Sequence, residues 1–541
     1  MKKITLLLSL FFACAMLFAQ EVRPTRNVIV MIPDGASVSV FSAARWFNQF
    51  NGLGHQLNVD PFLSGTVSVF ETNAVVAESA AAGSFFSTGV LSMAGSLALH
   101  PAPSATDIFP VDASRAFQPA ATILEAARIL QGMATGIVVT CEFTHATPAA
   151  FAAHHYDRNN RRAIAPQFAA NNLNVLFGGG NSLVSESMRQ HLHNTGTTLI
   201  QNDRAALLNY TGNRVWALFG DMAMPYDIDK DRELVPSLAE MTAKAIEILS
   251  QHENGFFLLV EGSMVDWAAH ANDPVGMMSE FLAFDKAVGV AIDFAKADGN
   301  TAVLIMSDHG NSGFSIGTDR CGGFQGFTPE QFFRPVAQIR RTSGGMEAIL
   351  RNAEPDDFRD IFYYYTNINL TDAELNSLLA SRNFRDGTHL GEHNNRTLAQ
   401  NVVRIYNAHL CFGFTTGGHT GEEILLASFH PDDHILRGHV LGSQVNAYLQ
   451  KVLGLEISLQ ELSDKIFVKH TDVFSGMNVT IDRTDRYFPT LTIRNGQNVM
   501  TLTAFSSVGV LNGNVFDVGS VVVYMGRNGL FYLPRSLAEK L

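Results

Sequence analysis

Cysteine is scarce in this chain: four residues among 541, one of which, Cys14, lies in an apolar N-terminal run. The other three, Cys141, Cys321 and Cys411, form an odd, sparse set, which excludes the disulfide framework that holds many small secreted domains together. One pair can form, and nothing in the spacing says which. Cations are also short, 38 Lys and Arg against 51 Asp and Glu, for a net charge of −13. Such a surface repels phosphate backbones, so nucleic-acid binding is excluded as the main role. An anionic substrate would need local cations to overcome that field, and metal ions are the obvious supply. Beyond the N-terminus no apolar run reaches the length of a membrane span. Internal repeats and low-complexity tracts are absent. So is a G-x-S-x-G elbow, and Gly178-Gly179-Gly180 lacks the Lys-Ser/Thr of a P-loop and reads as a tight turn.

The N-terminus is distinctive. Met1-Lys2-Lys3 precedes an apolar run from Ile4 to Ala19, followed by the polar Gln20-Glu21. A basic head, a short apolar middle and a small residue before polar sequence predict a secretory signal peptide over residues 1–19. Phe11-Phe12-Ala13 is a poor lead-in for a lipid-modified Cys14. The mature chain is expected in the periplasm or outside the cell, and the loss of Lys2 and Lys3 takes its charge to −15.

Short β-branched runs recur through most of the remaining sequence: Asn27–Ile32, Gly136–Cys141, Asn174–Phe177, Gly255–Val260, Thr301–Met306 and Glu423–Ser428. Several are apolar throughout rather than alternating, the pattern of parallel strands buried on both faces. Helical stretches lie between them, at Ala121–Leu130, Leu238–Ser250 and Met278–Lys296. The alternation predicts an α/β sandwich with a mostly parallel central sheet flanked by helices, over residues 20–465. Residues 311–410 read as a helical insertion capping one rim. Residues 466–541 change to period-2 runs with turn signals and read as a small β-rich appendage.

Polar residues follow the apolar runs directly. Asp34 follows the first, Thr147 comes shortly after the second, Glu261 closes the fourth, Asp308-His309 follow the fifth, and His419 precedes the last. Ligands bind outside the carboxyl ends of parallel strands, so one rim collects these side chains. If the chain after Glu261 is helical, Asp266 and His270 stand four apart on one face, a spacing suited to two ligands of one ion. Ser79 opens a predicted helix among small residues. It is either an N-cap or a nucleophile on a helix N-terminus, where N–H groups and the dipole favour an anion. Each signal alone is weak, since Pro33-Asp34-Gly35 is a common turn; their order carries the weight.

In that order the motifs IPDGAS, AESAAAGSFFSTGV, HATPAAFAAHHYDR, NVLFGGG, VEGSMVDWAAH, SDHG and TTGGHTGEE resemble the alkaline phosphatase family over about residues 25–455. The resemblance implies a secreted phosphomonoesterase acting on small phosphate monoesters, with a homodimer as a further implication. It implies one zinc ion on Asp266, His270 and His419. A second zinc falls on Asp34, Asp308 and His309, with Ser79 as its exchangeable ligand. Magnesium falls on Asp34, Thr147 and Glu261. Ser79 becomes the nucleophile that forms a phosphoserine, and Arg158 forks onto the phosphate. The residue types suit those ions, since zinc accepts imidazole and carboxylate whereas magnesium takes oxygen.

Three positions depart from the family pattern. Glu78 stands for the usual Asp before the serine, a residue that helps orient the arginine, and its longer side chain is expected to loosen phosphate binding. His145 occupies a position that varies between Asp and His, and its nitrogen shifts the third site toward another divalent ion. Trp267 replaces a residue that is often Lys or His, removing a water-mediated phosphate contact. In the insertion, Thr388-His389-Leu390-Gly391-Glu392-His393 resembles a zinc motif only loosely. Competing readings are a phosphodiesterase or sulfatase of the same superfamily, and a non-catalytic binding protein on this scaffold.

Overall fold

The structure, a computed structural model, describes residues 22–321, 327–382 and 396–541. Its central sheet has ten strands: β1 (Asn27–Ile32), β2 (Leu63–Ser68), β3 (Ala134–Glu142), β4 (Val175–Gly179), β5 (Thr198–Gln201), β6 (Val215–Leu218), β7 (Phe256–Glu261), β8 (Thr301–Met306), β9 (Ile424–Phe429) and β10 (Gly438–Leu441). Their order across the sheet is β10-β2-β9-β8-β1-β7-β3-β4-β6-β5. Alternate residues of β1 feed two separate cores, Val28, Val30 and Ile32 on one face, Ile29 and Met31 on the other. Both faces are dry, so every position from Val28 to Ile32 is apolar and no alternation survives in its sequence.

The parallel expectation holds for all strands but β9, which runs antiparallel to β8 and β2. The reversal matters for position. The N-terminal end of β9 lies at the rim where the parallel strands end, and His419, just before it, arrives at that rim. Four strands, β2, β5, β6 and β10, went unrecognised in the sequence. They are only four to six residues long, and β2 and β10 include exposed positions, so they carry no long apolar run.

The insertion contributes helices Pro329–Ala337, Ser343–Asn352, Phe358–Thr366, Asp372–Ser381 and Leu398–His409. Phe333 docks this layer by stacking on Trp46 and Phe50, at 5.9 and 6.1 Å between ring centroids. A disulfide joins Cys321 to Cys411 across 90 residues and so closes the insertion at its base. A loop of that length gains about 4–5 kcal/mol from cross-linking on the chain-entropy account. The Thr388–His393 stretch lies outside the described residues.

At the C-terminus a five-stranded antiparallel sheet, residues 478–517, sits beside a three-stranded one that includes Val523–Met525 and Leu530–Leu533. Leu491, Ile493, Met500 and Leu502 share one core with Leu124, Phe151 and Phe168 of the sandwich. Phe505 reaches the His155 ring at 6.2 Å, and the Arg527 guanidinium lies 5.1 Å from the Tyr156 ring centroid. These strands therefore buttress the loop that runs to Arg158.

Candidate active site

Asp34 is set by a tight turn after β1. Gly35 adopts φ +68°, and a Cβ there would lie 2.6 Å from Asp266 Oδ1, so only glycine lets the turn approach Asp266 this closely. The Gly35 N–H donates to Asp308 Oδ1 at 3.0 Å, fastening the ends of β1 and β8. Glu261 is the last residue of β7. Thr147 lies in helix Ala146–Ala152, and its Oγ1 is 3.5 Å from Asp34 Oδ2. Asp266 and His270 lie on helix Met264–His270, with Nε2 3.4 Å from Oδ2. The i,i+4 expectation is met.

Ser79 is the first residue of helix Ser79–Thr88, and it does not cap it. Glu78 is the N-cap and accepts from the Ala81 N–H at 3.2 Å. The Ser79 hydroxyl is left facing His309 Nε2 at 3.1 Å. That nitrogen is also 3.0 Å from Asp308 Oδ2 and 3.7 Å from Asp34 Oδ1. Across the pit, His419 Nε2 is 3.6 Å from Asp266 Oδ1 and 3.1 Å from His270 Nε2. The His309 and His419 rings stack at 3.6 Å, bringing the two groups into contact.

Arg158 stands at the mouth, paired through Nη1 with Glu78 and 3.3 Å through Nη2 from His145 Nε2. The longer Glu78 thus spans the distance to the arginine while capping the helix. Trp267 is half-buried, edge-on to His145 at 5.7 Å. Asp34, Thr147, Glu261 and Asp308 are fully buried, while His270 and Arg158 border solvent. The pit is closed below and open at the arginine.

This geometry has counterparts. Residues 25–455 match the family described as alkaline phosphatase. The chain belongs to that family. Alkaline phosphatase 3 of Bacillus subtilis is 32% identical over 450 residues, 81% of this chain and 90% of that protein. Among solved structures, the cold-active alkaline phosphatase of Shewanella sp. superposes with TM-score 0.68 at 28% identity, covering 79% of this chain and 99% of that one. That of Thermus thermophilus also gives 0.68, at 25% identity, covering 81% and 93%. The chain is therefore an alkaline phosphatase enzyme with the sandwich fold of its family, and the family is metal-dependent.

Electrostatics show what such a pit asks for. Burial, and then the charges of Asp308, Asp266 and Glu261, push Asp34 far above the ordinary carboxylate range. Burial and then Asp308 push Glu261 up to about 8. Burial would raise Asp308 too, but the adjacent His309 ring holds it below the usual value. Burial opposes a charge on His309, and Asp308 overrides it and raises the pKa of the ring. Asp34 Oδ1, Glu261 Oε1 and His145 Nδ1 are buried without a hydrogen-bond partner. Clustered buried carboxylates with orphaned oxygens are costly unless cations join them. The donors of this alkaline phosphatase chain therefore fit metal ions.

Sequence reasoning missed the layer beneath. Asn311 is fully buried and donates from Nδ2 to Asp266 Oδ1 at 2.7 Å, with its backbone N–H on Ser37 Oγ at 3.1 Å. Ser263 Oγ accepts from the Cys141 N–H at 3.2 Å, and the Ser263 N–H donates to Thr140 Oγ1 at 3.0 Å, tying β3 to the turn after Glu261. Small polar residues two positions from a candidate ligand, Glu261 or His309, were the available signal, and they are too common to stand out. Cys141 was noticed only as a thiol. Its Sγ is 3.8 Å from Glu261 Oε2.

Proposed function

We propose that this enzyme hydrolyses phosphate monoesters to an alcohol and inorganic phosphate through a phosphoserine on Ser79. The observation that carries the reading is the placement of Ser79, whose hydroxyl opens a helix and faces the imidazole–carboxylate cluster while Arg158 waits at the mouth. Asp266, His270 and His419 would hold one zinc ion, Asp34, Asp308 and His309 a second, and Asp34, Thr147 and Glu261 a magnesium ion. Bound there, the ions would lower the pKa of the serine hydroxyl and offset the charge of carboxylates and phosphate. Arg158 forks onto two non-bridging oxygens with a geometry lysine lacks. Glu78 orients the guanidinium. The Ser79 oxygen attacks phosphorus, the ester oxygen leaves with a proton as the alcohol, and water then cleaves the phosphoserine to restore the hydroxyl. The helix N-terminus favours the negative charge that passes through this point.

A secreted location belongs to the same proposal. It rests on the leader over residues 1–19, which lies outside the described residues; among those described, no helix is long and apolar enough to cross a membrane. The deciding experiment is hydrolysis of an aryl phosphate monoester beside its matched diester, each with chelator and with zinc and magnesium restored. Monoester turnover that chelation abolishes, zinc restores and Ser79→Ala removes supports the reading. Faster turnover of the diester would overturn it.

A further inference from the structure

Cys141 is the last residue but one of β3, just before Glu142, and β3 lies beside β7, whose last residue is Glu261. His145 follows as the N-cap of helix Ala146–Ala152, yet its side chain makes no capping bond. Cys141, His145 and Glu261 can each offer a ligand atom, and these atoms lie within 4.8 Å of one another. Two of the side chains carry a buried atom without a partner, Glu261 Oε1 and His145 Nδ1. The thiol is not consumed elsewhere, because Cys321 and Cys411 pair with each other and Cys141 is free.

We propose that Cys141 is a ligand of the third metal site, and that its sulfur makes this site select zinc or cobalt over magnesium. The proposal rests on the reading that places a third ion on Asp34, Thr147 and Glu261. A buried cysteine is ordinarily a small apolar core residue. Here it has a fully buried carboxylate at 3.8 Å and an unpartnered imidazole nitrogen as neighbours. Magnesium demands oxygens in near-ideal octahedral geometry, whereas thiolate and imidazole are the donors that zinc and cobalt prefer. The thiol gives up its proton to solvent when the sulfur binds the ion. An ion on His145 Nδ1 leaves the ring proton on Nε2, which faces Arg158. Two donors cannot share that contact, so filling the site also frees one arm of Arg158.

The experiment strips the whole protein with chelator, reloads it with cobalt, and reads metal content and near-ultraviolet absorption together. Cys141 is the only free thiol among the described residues, so in protein without residues 1–19, and with them Cys14, a sulfur-to-cobalt charge-transfer band reports on it alone. Expected are three cobalt ions per chain, the band in the parent protein, and its loss in Cys141→Ser. In competition, Cys141→Ser should lower the preference of the third site for zinc over magnesium by at least about tenfold, the lower end of what losing a supporting residue costs a metal site. Three ions without the band would leave the third site standing and overturn ligation by sulfur. Two ions in the parent protein would overturn the third site itself, and Cys141 with it. Because the band is read in the parent protein, the proposal does not depend on the variant folding.

Discussion

His270 Nε2 and His419 Nε2 face each other at 3.1 Å, while Nδ1 of each ring lies against a backbone carbonyl, Gly417 at 2.8 Å and Ala77 at 2.9 Å. In a neutral ring the Nδ1–H donates to its carbonyl, which leaves Nε2 as an acceptor. Two acceptors at this distance repel each other unless a proton or a cation joins them. Carbonyls that fix the tautomer are the support metal-binding histidines commonly have. Removing divalent ions should therefore lower the melting temperature, and zinc at about a hundred times its Kd should restore about 2.7 kcal/mol. Calorimetry with and without chelator measures this. A melting temperature indifferent to chelation would contradict it, and His419→Ala should blunt the zinc response.

Glu78 has two tasks. Its Oε1 accepts from the Gly95 N–H at 2.7 Å and the Ala81 N–H at 3.2 Å, and its Oε2 pairs with Arg158. Burial would raise its pKa, but the Arg158 charge and the Gly95 N–H bring it below the ordinary glutamate value. Glu78→Gln keeps an oxygen for the helix and removes the charge that holds the guanidinium. It should lower kcat/KM about tenfold, near the 1.4 kcal/mol of a modest charge-assisted contact, and weaken inhibition by inorganic phosphate. An unchanged inhibition constant for phosphate would show that Glu78 does not position Arg158.

Gly35→Ala tests the turn that brings Asp34 to Asp266. A left-handed alanine costs about 1–2 kcal/mol, and its Cβ would also press on Asp266, 2.9 Å from the Cα. Activity should fall by more than tenfold and the affinity for zinc should drop. The melting temperature should decrease by a few degrees, because the substitution strains one turn rather than the core. Wild-type zinc affinity in this variant would mean that the site tolerates a wider Asp34–Asp266 spacing.

These residues also mark how far the sequence could be read. Asp34, Glu261 and Asp308 were placed together because each follows a strand whose apolar run is continuous, and parallel strands deliver their ends to one rim. His419 was placed by the TTGGHTGEE motif, but the reason it arrives there, the antiparallel course of β9, left no mark in an apolar run that reads the same in either direction. Asn311 and Ser263 escaped notice because they act through hydrogen bonds between segments distant in sequence. Cys141 escaped for a related reason. It was read only as a thiol, and its sulfur comes within 3.8 Å of Glu261 Oε2 because β3 and β7, distant in sequence, run side by side. The pairing of Cys321 with Cys411 depends likewise on where a long helical insertion returns.

Glu280 lies on helix Pro274–Asp298, fully buried, and accepts the Asp227 N–H. Burial raises its pKa from 4.5 to about 8, partly offset by Lys230. Between those values the folded protein keeps a proton that the unfolded chain releases. Stability attributable to this residue therefore falls as pH rises, by up to about 1.4 kcal/mol per pH unit. Below 4.5 both states are protonated, and above 8 both are ionised, so the dependence levels off at either end. Glu280→Gln keeps an acceptor for the Asp227 N–H and cannot ionise. Measured against the parent protein in the same buffers, its melting temperature should be nearly equal at pH 5 and several degrees higher at pH 8. A gain of the same size at both values would mean that Glu280 is ionised throughout in the folded protein, with Lys230 rather than a proton balancing its charge.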